Sequence, residues 1–225
     1  MKILIGTTNP SKVNRFQKLL SQYNTEFITL RDIGVTDEPA ENGKTPEENA
    51  VIKAKFYGQF FDRVICNDSG LYFDAIPMDD PRQPGLHVRT PCGKRLNDEE
   101  MIEYYSRLIK ELGGRVLSCY VDGTAVYNCG KISSFTDTEE NLRHSAFYMT
   151  DKPSPLRHAG WPLDSLSLNR HTGVYFVENN AEDISDADTS GADVSDADVS
   201  DADEIIIDGY RRRMIRFLAE TLELV

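Results

Sequence analysis

Thr7-Thr8-Asn9-Pro10-Ser11-Lys12 follows the apolar run Ile3-Leu4-Ile5 and precedes apolar residues at helical spacing. That order places a loop between a buried strand and a helix N-terminus. Such a junction presents backbone N–H groups and the positive end of a helix dipole, which suits an anion. Thr7, Asn9 and Lys12 add side-chain donors and a positive charge, and phosphate is the anion that this set fits. The same residues also fit an ordinary helix start, with Ser11 as N-cap and Lys12 on a solvated face. Neither G-x-x-x-x-G-K-[ST] nor G-x-G-x-x-G occurs, so a P-loop and a dinucleotide fingerprint are excluded.

A second group of residues suits metal and acid–base chemistry. Asn67-Asp68-Ser69-Gly70 comes at the expected end of the buried run Val64-Ile65-Cys66. In open α/β sheets ligands collect at that edge, where an aspartate holds a hard cation or orients a water. The plain alternative is a turn, since Asn, Asp, Ser and Gly are the common turn residues. Glu41 lies in a loop ahead of a helix on which Asn49 and Lys53 share one face at i, i+4 spacing. A loop carboxylate and a helix lysine suit a metal-bound phosphate, although Lys53 also reads as an exposed helix lysine.

The elements that must position these residues follow from periodicity and capping. Val13, Phe16, Leu19 and Leu20 predict a first amphipathic helix, and Phe27 to Leu30 a second strand. Thr45-Pro46-Glu47-Glu48 predicts a capped helix reaching about Phe61. Residues 75–96 read as a long loop, and Asn97 with Glu100 caps a further helix. Val116–Val121, Thr124–Tyr127, Lys131–Phe135 and Ser145–Met149 read as separate strands, the first pairs joined by Gly-containing turns into an antiparallel meander. A last helix from about Ile205 to Leu222 carries Arg211, Arg212, Arg213 and Arg216.

The chain of 225 residues is long enough for one sizeable core. No apolar run approaches the ~20 residues of a bilayer span, and Met1-Lys2-Ile3 reads as the start of a strand rather than a signal peptide. The four cysteines have no C-x-x-C spacing and read as reduced thiols of a cytoplasmic protein. The scattered histidines offer no zinc pattern. Residues 181–204 hold ten acidic and no basic residues, and removing them takes the net charge from −12 to −2. No basic stripe remains to suggest polymeric nucleic acid as a partner. Within that tract, Ile184 to Asp203 comprises four pentapeptides of Ser-Asp-Ala-Asp type. This composition buries no core and reads as an acidic low-complexity insertion.

The order of the three stretches resembles that of the inosine and xanthosine triphosphate pyrophosphatase family. Members show T-G-N-x-x-K, then E-x-G-x-[ST]-x-x-E-N-A-x-x-K-A, then [DE]-D-S-G-L. Here these become Thr7-Thr8-Asn9 with Lys12, then Glu41 to Ala50 with Lys53-Ala54, then Asn67-Asp68-Ser69-Gly70-Leu71, with Pro84-Gly85 similar to a following P-G element. The resemblance implies one α/β domain over 1–225, an elongated two-lobed mixed sheet flanked by helices with a central nucleotide cleft, interrupted at 181–204. It implies hydrolysis of a nucleoside triphosphate to the monophosphate and pyrophosphate, cleansing the nucleotide pool, with Mg²⁺ as cofactor and a cytoplasmic homodimer as the working form.

In that scheme Glu41 and Asp68 hold the metal, and Asp68 is also the catalytic residue that activates water. Thr7, Thr8, Asn9, Lys12, Lys53 and Ser69 bind the phosphates. Trp161 stacks on the base, Asp164 belongs to the base-enclosing segment, and Arg211 donates to a purine 6-oxo group. The C-terminal third departs from the pattern. Gly160-Trp161-Pro162-Leu163-Asp164 keeps only the Gly, an aromatic and the Asp of G-[FW]-[GD]-[YW]-D-P. Gly209-Tyr210-Arg211 stands for S-H-R, and Ile205 for a lysine six residues before that arginine. The alternative reading is a nucleotide-binding paralogue with little catalysis, acting as sensor or scaffold.

Overall fold

A computed structural model describes residues 1–91, 93–158, 160–178 and 201–224. In chain order its elements are β1 (Lys2–Ile5), α1 (Pro10–Leu19), β2 (Glu26–Thr29), α2 (Pro46–Tyr57), β3 (Arg63–Phe73) and α3 (Asp98–Glu111). They continue with β4 (Arg115–Asn128), β5 (Lys131–Thr136), α4 (Glu139–His144), β6 (Phe147–Thr150), β7 (Ser167–Leu168) and α5 (Asp201–Leu222). The fold is mixed α/β, with strand neighbours in the order β2-β1-β3-β4-β6-β7 and β5 on β4. Two compact units are formed. One comprises Met1–Ser69, Val121–Thr138 and Ile206–Val225, and the other Gly70–Tyr120 and Glu139–Ile205.

In the first unit β1 lies parallel to both β2 and β3. Alternation along β1 sorts its side chains to two faces. Ile3 and Ile5 join Ile65, Phe16 and Leu20 of the α1 region, and Met214, Leu218 and Leu222 of α5. Leu4 joins Val64, Cys66 and the Ala50, Ala54 and Tyr57 side of α2. Each fully buried Leu, Ile or Phe contributes about 1.5–3 kcal/mol, so these faces fix where α1 and α2 sit against the sheet.

Both helix starts are local. Asn9, not Ser11, caps α1 by accepting from the Ser11 N–H at 2.9 Å, with Pro10 at the first helical position. Thr45 caps α2 by accepting from the Glu48 N–H at 3.1 Å. That helix ends at Tyr57, short of Phe61. Gly58 closes the last turn onto Ala54 O, and a Cβ there would lie 2.7 Å from the Tyr127 ring.

Two strands run through places where sequence polarity suggests turns. β3 does not stop at Asn67 but continues to Phe73 through Asp68, Ser69 and Gly70. Asn67 stays paired inside the sheet because its Nδ2 donates to Gly123 O at 3.1 Å and to Thr124 Oγ1 at 3.4 Å. Likewise β4 is one strand through Asp122-Gly123, where two were expected. Gly123 serves close approach rather than a turn: a Cβ there would lie 2.2 Å from the Glu47 nitrogen in the first turn of α2. The hairpin expected between β4 and β5 is present, turning at Cys129 and Gly130 with φ of +48° and +92°.

The second unit is built on α3. Asn97 and Glu100 form the expected capping box, each side chain accepting from the other's backbone N–H. Met101, Ile102, Tyr105, Leu108 and Ile109 then bury against Leu71, Phe73, Val116, Phe147 and Met149. β6 pairs antiparallel with β4 and β7. α5 starts at Asp201, inside the last acidic pentapeptide and four residues before the expected Ile205. The remainder of the insertion, to residue 200, lies outside the described residues. Among the described residues no helix is long and apolar enough to cross a membrane.

Candidate active site

Helical spacing on α2 turns Asn49 and Lys53 toward the polar stretch of β3. Lys53 Nζ donates to Asp68 Oδ1 at 3.2 Å and pairs with Glu41 Oε1 at 3.0 Å. The other Asp68 oxygen, Oδ2, accepts from Asn49 Nδ2 at 2.9 Å. Asn49 also accepts the Gly43 N–H at 2.8 Å through its Oδ1, which ties the Glu41 loop to the same helix face. The side chains of Lys53 and Asp68 are each 14% exposed, and that of Glu41 is 42% exposed.

Burial alone would lower the Lys53 pKa, but the Asp68 and Glu41 charges and hydrogen bonds outweigh it and raise the pKa above its ordinary value. Lys53 is therefore a fixed positive charge rather than the exposed helix lysine of the plain reading. Neighbouring Cys66 is buried, and burial pushes its thiol pKa up, so it is an inert core residue and not a nucleophile.

Two carboxylates converge on one cationic centre here. Among the described residues no group of three or more His, Cys, Asp or Glu is placed to hold a metal ion. Mg²⁺ needs only one or two carboxylates and completes its shell with waters and substrate phosphates. In donor chemistry, the two carboxylates of Glu41 and Asp68 match that requirement.

The N-terminal loop is internally organised. The Asn9 N–H donates to Thr7 Oγ1 at 3.2 Å, while Asn9 Oδ1 is taken by its capping bond. Thr7 is half-buried and Thr8 exposed. Lys12, on the first turn of α1, reaches β3 and donates to Ser69 Oγ at 3.4 Å. Ser69 Oγ donates to Asp122 Oδ1 at 2.5 Å, and Arg15 Nη1 donates to Asp122 Oδ2 at 3.0 Å.

Lys12, Glu41, Lys53, Asp68 and Ser69 thus belong to one unit and are linked by contacts around β3, and the loop residues Thr7, Thr8 and Asn9 lie in the same unit. Arg15 and Asp122 were not anticipated. The available signal was Arg15 at i+3 from Lys12, on the same helix face. Asp122 was masked by its resemblance to a turn.

The remaining expected residues sit elsewhere. Trp161 and Asp164 belong to the second unit. Trp161 precedes the 3₁₀ turn Pro162–Ser165 and lies 6.2 Å, centroid to centroid, from the His158 ring at an interplanar angle of 29°. Asp164 is buried and its Oδ2 pairs with His158 Nδ1 at 3.0 Å. Arg211 is on the exposed face of α5 in the first unit.

The Ham1 family model matches residues 3–140. The dITP/XTP pyrophosphatase of Bacillus subtilis (strain 168) is 34% identical over 112 residues, covering 49% of this chain and 53% of its own. That of Bacillus licheniformis is 36% identical over 114 residues, covering 50% and 55%. The chain spans about half the length of the curated relatives it matches. Among solved structures, the Staphylococcus aureus Ham1 protein superposes with a TM-score of 0.62 at 21% identity over 81% of this chain and 88% of its own. A HAM1 protein from Coxiella burnetii gives 0.68 at 18% identity over 96% and 99%. These two establish likeness of fold. The matched stretch holds Lys12, Arg15, Glu41, Asn49, Lys53, Asp68, Ser69 and Asp122, and on that match the chain belongs to the Ham1 family.

Proposed function

We propose that this protein hydrolyses nucleoside triphosphates of 6-oxo purines, such as ITP, XTP and dITP, to the monophosphate and pyrophosphate, clearing them from the nucleotide pool. The observation that carries this reading is Asp68 held at one oxygen by Lys53 and at the other by Asn49, with Glu41 on the same lysine. The relatives' name, dITP/XTP pyrophosphatase, supports the substrate class.

Water attacks the α-phosphorus, the bond from that phosphorus to the bridging oxygen breaks, and pyrophosphate leaves with the electron pair. Asp68 orients the water and accepts its proton, a task suited to a carboxylate whose orientation is fixed by two donors. Lys53 and Lys12 offset the negative charge of the phosphates, and Thr7, Thr8, Asn9 and Ser69 hydrogen-bond their oxygens. Mg²⁺, held by Glu41 and Asp68, would neutralise phosphate charge further. Trp161 and Asp164 are assigned to the base and Arg211 to its 6-oxo oxygen, on the resemblance. A cytoplasmic homodimer is the form we propose on the same ground.

The test is incubation with Mg²⁺ and a panel of ATP, GTP, ITP, XTP and dITP, separating products by ion exchange. Equimolar monophosphate and pyrophosphate, fastest from the 6-oxo purines, is expected. Release of orthophosphate alone, or no product from any triphosphate, contradicts the reading. Retention of Glu41 and Asp68, both in contact with Lys53, weighs against a paralogue without catalysis.

A further inference from the structure

Lys12 and Ser69 are assigned to the phosphates, yet the groups that hold them in place are Asp122 and Arg15. Asp122 divides its two oxygens. Oδ1 accepts from the Ser69 hydroxyl at 2.5 Å, and Oδ2 accepts from Arg15 Nη1 at 3.0 Å. Arg15 Nη2 donates in turn to the Tyr210 hydroxyl at 2.8 Å, and the guanidinium carbon lies 5.8 Å from the Tyr210 ring centroid. The Arg15 and Asp122 side chains are only 10% and 5% exposed.

A buried ion pair is a poor device for stability alone, because apolar residues of similar size serve as well or better. Its placement gives it another use. By accepting the Ser69 hydrogen bond, Asp122 leaves the hydroxyl oxygen as the acceptor that Lys12 Nζ meets at 3.4 Å. Without Asp122 the Ser69 proton has another acceptor, Asn67 Oδ1 at 3.4 Å. The Arg15 charge offsets that of Asp122, so a phosphate near Ser69 does not face an uncompensated carboxylate.

We infer that Asp122 and Arg15 are positioning residues for the triphosphate: they orient the Ser69 hydroxyl and, through it, Lys12. Tyr210 braces Arg15 and so ties α5 to the phosphate site. This gives the Tyr that stands where the resembling family has His a structural role of its own. The inference rests on the triphosphate hydrolase reading, and two readouts keep the two separable.

The experiment measures ITP turnover with Mg²⁺, and binding of inorganic tripolyphosphate by calorimetry, for wild type, Asp122→Asn, Arg15→Lys and Tyr210→Phe. Asp122→Asn is expected to raise the ITP KM and the tripolyphosphate Kd about tenfold with kcat little changed, as loss of uniform binding requires. Tyr210→Phe, which removes one hydroxyl, is expected to move the same two quantities about two- to threefold at unchanged Tm, and Arg15→Lys to retain much of the wild-type affinity. Unaltered KM and Kd with a lowered Tm would assign the pair a merely structural role and overturn the inference. If Asp122→Asn does not fold, Tyr210→Phe decides. If wild type releases no pyrophosphate, the hydrolase reading fails and the tripolyphosphate affinities alone judge the inference. Affinities that do not differ, or no binding by wild type, overturn it.

Discussion

Lys53 Nζ and Asp68 Oδ1 lie 3.2 Å apart, joining the middle of α2 to the middle of β3. Both side chains are largely buried, and the same lysine also reaches Glu41 in the loop before α2. A helix, a strand and a loop are therefore drawn together by one ammonium group. Its removal would leave both carboxylates without the cation they share, so the lysine is a structural requirement of the site as well as a source of charge.

The Lys53 pKa is raised above its ordinary value of 10.5 in the folded protein. Folding therefore favours the charged form. The stability this contributes is fully present below about pH 10.5 and is lost as pH rises through the higher folded value. NMR detection of the lysine side-chain nitrogen should show Lys53 titrating later than the exposed lysines, and titration before them would contradict the arrangement. Lys53→Met should destabilise the fold by about 1–3 kcal/mol, less than a fully buried pair would, because Glu41 is partly solvated.

Lys12→Ala should act chiefly on triphosphate binding. Loss of one charge-assisted contact corresponds to about a 10- to 100-fold rise in KM, with a smaller change in kcat. Steady-state kinetics over a range of ITP concentrations checks this. Unchanged KM and kcat would remove Lys12 from the phosphate site.

Gly123→Ala tests the fold that positions Asp68. The added Cβ would lie 2.2 Å from backbone in the first turn of α2, which has no flexible side chain to yield. Loss of about 1–3 kcal/mol is expected from such overpacking, read as an earlier urea midpoint. A midpoint equal to that of wild type would mean that α2 does not rest on β4 as described.

The parts of this molecule legible in its sequence are those set by near neighbours. Asn97 and Glu100 specify the start of α3 because both hydrogen bonds of the box close within one turn. The Thr45 cap and the strand–loop–helix of residues 2–19 are of the same kind. Asn67-Asp68-Ser69-Gly70 and Asp122-Gly123 misled for one common reason. Polar residues and glycine signal turns when their partners are local, but here the partners are distant. Asn67 donates to Gly123 and Thr124, and Gly123 makes room for Glu47. Arg15 was hidden likewise, since its partners are Asp122 and Tyr210 on other elements. The order of Lys12, Glu41, Lys53 and Asp68 along the chain suggests the proposed phosphate and metal site. The hydrogen bonds that orient those residues became visible only in three dimensions.

The most direct test of the account is pyrophosphate release from dITP in the presence of Mg²⁺, with wild type and Asp68→Asn measured side by side. The substitution keeps the size of the side chain and removes the charge and the proton acceptor. A loss of about 100-fold or more in turnover is expected, as for removal of a general base, with near-native circular dichroism. A folded Asp68→Asn protein turning over within about threefold of wild type would contradict the role of Asp68 and with it the proposed site.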